Sequence, residues 1–441
     1  MFVPRKKSLF RKDNNSSRPY RIVVLLVLII LVLFMLQGIS QGSVTPLLIA
    51  TPTPTRTVDS YVQEGETHFI AGDLDKSLEA FQRASEVNPN DIILWIELAR
   101  IQVYSSSLIT TDEAKYARLS EALESINRAV EINTEDSTAH AVRAFVLDWL
   151  ANPGLVGEDW QALLTEAEQE AVIALQLDNQ NTLALAYYAE ILVDQQKWIQ
   201  ADQYIREAVQ RDPSTMDVHR INAYVQESLG NYSEAITEYK RAAEINPNLT
   251  FLYLAIGANY RKLKQYDLAL AYFDRAANIN EQLNIKDPIP YLSIAKTYVQ
   301  MGQFLTAGLN ARKGLQYSPD NPDVYGQLGI IYFKARNYEG AIPALKCALR
   351  GCNAEESCEV RQCNPEEDPM VPIDGLPLTA NTVVYYFTYG SVLAGMHRET
   401  NGYCEEAMQI LRLVKQGFPD DETIMQIVEE SENICRSYGY Y

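Results

Sequence analysis

The chain has 441 residues, of which 47% are hydrophobic and 22% are charged, a composition typical of a folded protein with a large core. Its formal net charge is −19, but residues 1–21 carry seven basic groups and one acidic group, so the other 420 residues carry a charge of −25. A body this acidic repels the phosphate backbone, which argues against general nucleic-acid binding.

The first predicted element is a transmembrane helix at residues 22–41. Residues 22–36 contain no polar side chain, and about 20 apolar residues in a helix cross the ~30 Å hydrocarbon core of a bilayer. A cleaved signal peptide is the alternative, because small residues at 38 and 40 have the spacing of a cleavage site. The basic residues 1–21 predict a cytoplasmic N-terminus, so we expect a single-pass protein of the cytoplasmic membrane whose bulk is extracytoplasmic.

Residues 42–57 form the predicted linker. Threonine and proline alternate from Thr51 to Thr55. This alternation disfavours helix and favours an extended polyproline conformation. The linker is therefore expected to act as a spacer between the membrane and the remaining chain.

The rest of the chain repeats with a period of 34 residues. Residues 216–249 and 250–283 align without a gap, and small and large apolar residues recur in register. The small pairs are Ala223 with Gly257, Ala235 with Ala269, and Ala242 with Ala276. The pattern predicts two antiparallel helices per unit, with small residues at close helix contacts and stacking of neighbouring units.

These repeats resemble the tetratricopeptide repeat (TPR) family. Residues 58–91 carry its bulky, small, aromatic and proline positions at Tyr61, Gly65, Phe81, Ala84 and Pro89. About nine repeats can be placed between residues 58 and 420, and two of them hold insertions of 11 residues between their helices. The resemblance implies an all-α, right-handed superhelical solenoid of about nine helical hairpins with a C-terminal capping helix, at residues 58–437. It also implies peptide binding in a concave groove lined by the first helix of each repeat.

All six cysteines lie in the last quarter of the chain, and four of them fall in a Cys-rich insertion at residues 347–380. An even count in a predicted oxidising compartment favours disulfides, while a zinc site or free thiols remain as alternatives. The pairing within the insertion stays open, and we expect the insertion to be flexible. Cys404 and Cys435 lie at adjacent ends of two predicted antiparallel helices, so a bridge between them is expected. The disulfide candidates are Cys347, Cys352, Cys358, Cys363, Cys404 and Cys435.

Signals of catalysis are absent from the sequence. None of the metalloprotease, hydrolase or phosphate-loop motifs occurs, and there are only four histidines. His140 and His219 occupy a packing position of the repeat, so we interpret them as structural. The sequence therefore predicts a non-enzymatic protein with no cofactor and no metal site.

A basic and aromatic strip is predicted in the groove of the fifth to eighth repeats. Its charge would favour an acidic or phosphorylated peptide, while the alternative is solvated charges paired with neighbouring acids. The lysine and asparagine pattern that TPR proteins use to clamp a C-terminal carboxylate is absent. The predicted partner-binding residues are Arg220, Tyr224, Arg261, Lys262, Lys296, Phe333 and Lys334.

The predicted function is a protein-protein interaction scaffold on the outer face of the cytoplasmic membrane, with a protein or peptide partner in its groove and no nucleic acid. The alternative is an accessory subunit of a multi-subunit membrane complex. These two functions differ in whether the protein is found alone or in a large stable assembly after mild solubilisation.

Overall fold

The computed structural model describes residues 19–40 and 56–441, and the chain divides into two compact units between Arg56 and Thr57. The first unit contains helix α1 (Pro19–Ser40), whose side chains from Ile22 to Phe34 are exposed. No helix within the described residues is both long enough and apolar enough to cross a membrane. Most of the predicted basic segment and most of the predicted linker lie outside the described residues.

The second unit, from Thr57 to Tyr441, is built from consecutive helix pairs, and its described residues contain no strand beyond one isolated bridge between Cys352 and Ile373. The first five pairs are α2 (Val58–Ala71) with α3 (Leu74–Val87), α4 (Ile92–Ser106) with α5 (Asp112–Ile132), α6 (Ser137–Leu150) with α8 (Trp160–Leu177), α9 (Thr182–Asp194) with α10 (Trp198–Arg211), and α11 (Met216–Ser228) with α12 (Tyr232–Ile245). A short helix α7 (Pro153–Val156) precedes α8.

Four further pairs and a final helix complete this unit. They are α13 (Thr250–Lys262) with α14 (Tyr266–Leu283), α15 (Ile289–Gln300) with α16 (Phe304–Tyr317), α17 (Pro322–Lys334) with α18 (Tyr338–Arg350), α20 (Val383–Met396) with α21 (Tyr403–Gly417), and the last helix α22 (Glu422–Ser437). Helix α19 (Ala354–Arg361) lies in the Cys-rich insertion. The described residues thus hold nine helix pairs with α22 packed against α20 and α21.

Small residues allow the two helices of a pair to approach closely. A Cβ atom on Gly65 would lie 2.6 Å from the ring of Phe81, and one on Gly257 would lie 2.5 Å from the ring of Phe273. Either contact is closer than packed side chains allow, because protein interiors are already near crystal density. Glycine at this position is therefore required in these two repeats, where the second helix places a phenylalanine ring against it.

One polar side chain in each of five repeats ties its helix to the preceding turn. Each lies near the start of the first helix and donates a hydrogen bond to the carbonyl oxygen six residues earlier. The bonds run from Trp95 to Pro89 at 3.1 Å, His140 to Thr134 at 3.0 Å, His219 to Pro213 at 2.9 Å, Tyr253 to Pro247 at 2.7 Å and Tyr325 to Pro319 at 2.9 Å. The repeat position predicted to serve packing thus also satisfies a backbone carbonyl.

The two histidines of this set are buried and hydrogen-bonded at both ring nitrogens. His219 Nδ1 lies 2.7 Å from a carboxylate oxygen of Glu238, and His140 Nδ1 lies 2.6 Å from one of Glu170. The hydrogen bond with Glu238 raises the pKa of His219, although burial opposes this. Both ring nitrogens of His219 face acceptors, so its protonated ring can donate to each of them. The geometry gives these histidines a structural role.

The two 11-residue insertions form helix as well as loop. In the second repeat the added residues lengthen the second helix, α5, to 21 residues. In the third repeat they form α7 and a turn of 3₁₀ helix at Gly157–Asp159. Asn152 caps α7 by accepting a hydrogen bond from the amide of Gly154 at 2.8 Å.

The Cys-rich insertion is structured, which corrects the expectation that it is flexible. It contains two short-range disulfides. Cys347–Cys352 precedes α19, and Cys358–Cys363 joins a residue of α19 to one just beyond its end. The side chain and backbone of Asn353 pair with Glu356 in a reciprocal cap of that helix. Cys358 and Val360 are buried. The insertion is therefore held by local cross-links, a capped helix and a small apolar contribution to the core.

A third disulfide joins the last helix pair to the final helix. Cys404 at the start of α21 is bonded to Cys435 near the end of α22, as the sequence predicts, and both are fully buried. Asp421 caps α22 by accepting a hydrogen bond from the amide of Ile424 at 2.9 Å. Among the described residues there is no free cysteine.

Candidate functional site

Three of the seven predicted groove residues line one cavity of about 380 Å³. Arg261 lies in the last turn of α13, Lys296 lies in α15 and Lys334 ends α17, so three successive repeats contribute one cation each from their first helices. We call this the basic cavity. The other residues that line it are Val299, Gln300, Gln327, Ile330, Ile331, Val384 and Tyr385.

The wall of the basic cavity is apolar on the side formed by α17 and α20. Ile330 and Ile331 of α17 lie there with Val384 and Tyr385 of α20. The hydroxyl group of Tyr385 donates a hydrogen bond of 2.7 Å to Asp323. This bond fixes the ring at the cavity wall, and the apolar surface limits the access of water to the three cations.

Within the described chain, none of the three cations takes part in an ion pair. Arg261 donates a hydrogen bond of 3.2 Å to the carbonyl of Ser293, and its guanidinium lies 5.4 Å from the centre of the Phe273 ring. Burial lowers the pKa of Arg261. The predicted alternative also included solvated charges, and Lys296 and Lys334 are exposed, so it stays open for these two side chains.

The ammonium group of Lys296 lies in an electrostatically unfavourable environment, which lowers its pKa. Its side chain is exposed, yet the walls around it limit hydration, and this desolvation lowers its pKa. The positive charges of Arg261 and Lys334 lower the pKa further, while Asp323 partly opposes them. A bound anion would relieve the repulsion among the three cations.

The basic cavity is also lined by a side-chain amide, that of Gln327, whose hydrogen bonds are only partly satisfied. The amide nitrogen of Gln327 donates a hydrogen bond of 2.7 Å to Asp323. Its amide oxygen is buried and has no hydrogen-bond partner among the described residues. This oxygen can therefore accept a hydrogen bond from a ligand, such as a peptide backbone N–H.

Arg220 and Tyr224 lie elsewhere. Arg220 is 6% exposed, and its guanidinium forms two hydrogen bonds, of 2.8 and 2.7 Å, to the carboxylate of Glu190. Tyr224 donates a hydrogen bond of 2.6 Å to Asp194. Both residues line a different cavity of about 640 Å³. Their predicted neighbours Lys262 and Phe333 are exposed and line neither cavity.

Two features of the basic cavity were not predicted from the sequence: its apolar wall and the partly satisfied amide of Gln327. Val384 and Tyr385 come from a repeat that begins beyond the Cys-rich insertion, and no local pattern places them beside α13 or α15. Gln327 lies one helix turn beyond Asp323, which is the only sequence signal for their hydrogen bond.

Comparison with known proteins bears on this fold. Tetratricopeptide repeat family models match residues 58–91, 188–250 and 252–283. Anaphase-promoting complex subunit 3 of Schizosaccharomyces pombe is 31% identical over 107 residues, which are 24% of this chain and 16% of that protein. BBSome complex member BBS4 of Bos taurus is 26% identical over 117 residues, which are 26% of this chain and 22% of that protein. The chain therefore spans less than a quarter of the length of either relative.

A solved structure covers more of the chain. The human IFIT1 dimer with PPP-AAAA matches 88% of this chain and 92% of that chain, with a TM-score of 0.52 and 14% sequence identity. At this identity the likeness shows the fold alone. The described body is thus an all-helical TPR-like solenoid, and the chain contains tetratricopeptide repeats.

Proposed function

We propose that this protein is a membrane-anchored scaffold that holds an acidic segment of a partner protein in the basic cavity. TPR proteins act as protein-interaction scaffolds, and their fold is typically non-enzymatic. The observation that carries the proposal is the set of three cations, Arg261, Lys296 and Lys334, which line one cavity without an ion pair among the described residues. They belong to a body whose overall charge is strongly negative.

The cavity favours an acidic peptide segment over an isolated small anion. The cations supply charge complementarity, the apolar wall can cover aliphatic side chains, and the open oxygen of Gln327 can accept a backbone N–H. Charge complementarity chiefly increases the association rate and the specificity of such a contact. A peptide can contact the cations, the apolar wall and the Gln327 oxygen, whereas a small anion contacts only the cations.

Reversal of two exposed charges tests this contact. The variant Lys296→Glu with Lys334→Glu is expected to bind a fluorescent hexaglutamate peptide at least about tenfold more weakly than the wild type, because attraction becomes repulsion. The measurement is a titration by fluorescence anisotropy at about 0.15 M salt, where charges beyond ~8 Å are screened. Hexaglutamine is the neutral control peptide.

The matched control variant is Lys262→Glu with Lys264→Glu. These two lysines are also exposed, and they lie next to Arg261 in sequence but do not line the basic cavity. The control changes the net charge equally and is expected to weaken binding far less. Equal weakening by both variants would show that hexaglutamate responds only to net charge, and the proposed cavity contact would then be wrong.

The membrane anchor is the second part of the proposal, and it rests on sequence. Residues 22–36 are wholly apolar, and seven basic residues precede them. Although no described helix meets the requirements of a membrane span, α1 contains this run and exposes its side chains from Ile22 to Phe34. The basic flank supports a cytoplasmic N-terminus and a body on the outer face.

Two measurements test the anchor and its orientation. The full chain is expected to stay in the membrane pellet after alkaline extraction, while a variant without residues 22–36 is released. Protease added to intact spheroplasts is expected to digest residues 58–441. Protection of the body until the membrane is opened would overturn the orientation, and release of the full chain by alkali would overturn the anchor.

A further inference from the structure

A second cavity, of about 640 Å³, has the opposite charge character. Its acidic groups come from the ends of two first helices: Asp148 from α6, and Glu190 and Asp194 from α9. We call it the acidic cavity. Its aromatic lining residues are Tyr104, Trp149, Trp160, Tyr224, Tyr239 and Phe251.

The negative charge of Glu190 is paired with Arg220 of the same chain. Arg220 binds both of its carboxylate oxygens, and the indole N–H of Trp149 donates a hydrogen bond of 3.2 Å to one of them. The guanidinium of Arg220 also lies over the rings of Tyr104 and Phe145, 5.6 and 5.2 Å from their centres. This arrangement uses both carboxylate oxygens of Glu190 and both terminal nitrogens of Arg220, while the Nε of Arg220 is buried without a partner among the described residues.

Asp148 and Asp194, unlike Glu190, form no ion pair among the described residues. Asp148 is 4% exposed, lines the cavity, and has one carboxylate oxygen that is buried without a hydrogen-bond partner among the described residues. Asp194 is exposed and accepts the hydroxyl group of Tyr224. A buried carboxylate oxygen without a hydrogen-bond partner carries a desolvation cost, which a cationic ligand would offset.

The two carboxyl groups hold their protons more tightly than ordinary aspartates. Burial, reinforced by the charges of Asp194 and Glu190, raises the pKa of Asp148 well above its usual range, and Arg220 opposes this. Limited hydration raises the pKa of Asp194 to about 6, with Tyr224 opposing and Glu190 contributing. Lys115 of α5 also lines the cavity. An external cation would favour the ionised form of both aspartates.

We propose that the acidic cavity binds the ammonium group of a lysine side chain from a partner protein. The ammonium would be paired with Asp148 and Asp194, while the aromatic wall covers the methylene stem. The volume lies within the range of ligand pockets and admits a side chain with its flanking backbone. This site is separate from the basic cavity, so a partner that uses both would present a lysine and an acidic segment.

The probe is the peptide acetyl-Ala-Ala-Lys-Ala-Ala-amide, compared with the same peptide carrying Nε-acetyl-lysine. Binding to the full chain in detergent is measured by saturation-transfer NMR titration. The lysine peptide is expected to bind and the acetylated peptide is not. Because the aspartates must lose protons to pair with the ammonium, affinity is expected to rise at least about tenfold from pH 5 to pH 7.5.

Substitutions locate the contact. Asp148→Asn and Asp194→Asn are each expected to weaken binding at least about tenfold, because each removes a charge from the pair. Asp194 is exposed, so its variant keeps the test valid if Asp148→Asn fails to fold. The matched control Asp75→Asn removes an exposed carboxylate outside the cavity and should leave affinity unchanged. Lys296→Glu with Lys334→Glu, in the basic cavity, should change it less than about twofold, since distant sites act independently.

Four results would overturn the proposal. They are the absence of lysine-peptide binding, an affinity independent of pH, binding of spermidine without binding of the lysine peptide, and binding that appears only in Lys115→Gln. The third would assign the cavity to free polyamines. The fourth would show that Lys115 of the same chain occupies it.

Discussion

Replacement of Arg220 by methionine is expected to lower the free energy of unfolding by about 3–5 kcal/mol, the usual cost of breaking a buried ion pair. The substitution leaves Glu190, which is 4% exposed, with a charge and only the indole of Trp149 as a donor. Urea denaturation followed by circular dichroism measures the loss. A loss of this size indicates a structural role for Arg220, whereas a residue that only contacts a partner in the groove would change the free energy of unfolding little.

Two further variants control for this effect. Arg128→Met removes an arginine whose side chain is 44% exposed and paired with Glu131, which is 66% exposed, and such an exposed pair contributes only about 0–1 kcal/mol. The double variant Arg220→Met with Glu190→Met removes both buried charges and should recover much of the loss. A single Arg220→Met variant as stable as Arg128→Met would contradict the buried-pair interpretation.

Replacement of both Cys404 and Cys435 by serine is expected to lower the free energy of unfolding by about 3–4 kcal/mol in the chain-entropy model, in which longer closed loops stabilise more. These cysteines are 31 residues apart in sequence, and they join α21 to the final helix α22. Hydrogen exchange of the amides in α22 gives the local measurement, because repeat arrays need not unfold in one step.

The matched control removes the Cys358–Cys363 disulfide, which closes a separation of five residues. The same model gives about 2 kcal/mol for a loop of that size. Its effect on amide exchange should be confined to α19 and its surroundings. Faster exchange in α22 from the control than from the Cys404 and Cys435 variant would contradict the assigned role of the longer disulfide.

Much of the fold could be predicted from the 34-residue period because each repeat is a local unit. Positions such as Gly65 and Gly257 recur since the same helix contact recurs. The bridge between Cys404 and Cys435 could be anticipated for the same reason, as both lie at the ends of predicted neighbouring helices. The structure of the Cys-rich insertion could not, because its cap and short disulfides have no repeat periodicity.

The site was harder to predict because it depends on how successive repeats stack. Arg220 and Arg261 both lie on first helices, but Arg220 meets Glu190 of the preceding repeat and Arg261 meets only a backbone carbonyl and a ring. Repeat position alone does not distinguish these environments. The unpartnered carboxylate of Asp148 was missed for the same reason, since its surroundings come from several repeats.

Site-specific photo-crosslinking tests the central claim most directly. A benzoylphenylalanine placed at Gln300, which is exposed and lines the basic cavity, is expected to give a discrete protein adduct in intact cells, and Lys296→Glu with Lys334→Glu should abolish it. The same probe at Leu309, which is 53% exposed and lies outside that cavity, should give none. Adducts from Leu309 but not from Gln300, or adducts that survive the charge reversal, would contradict a partner-binding role for the basic cavity.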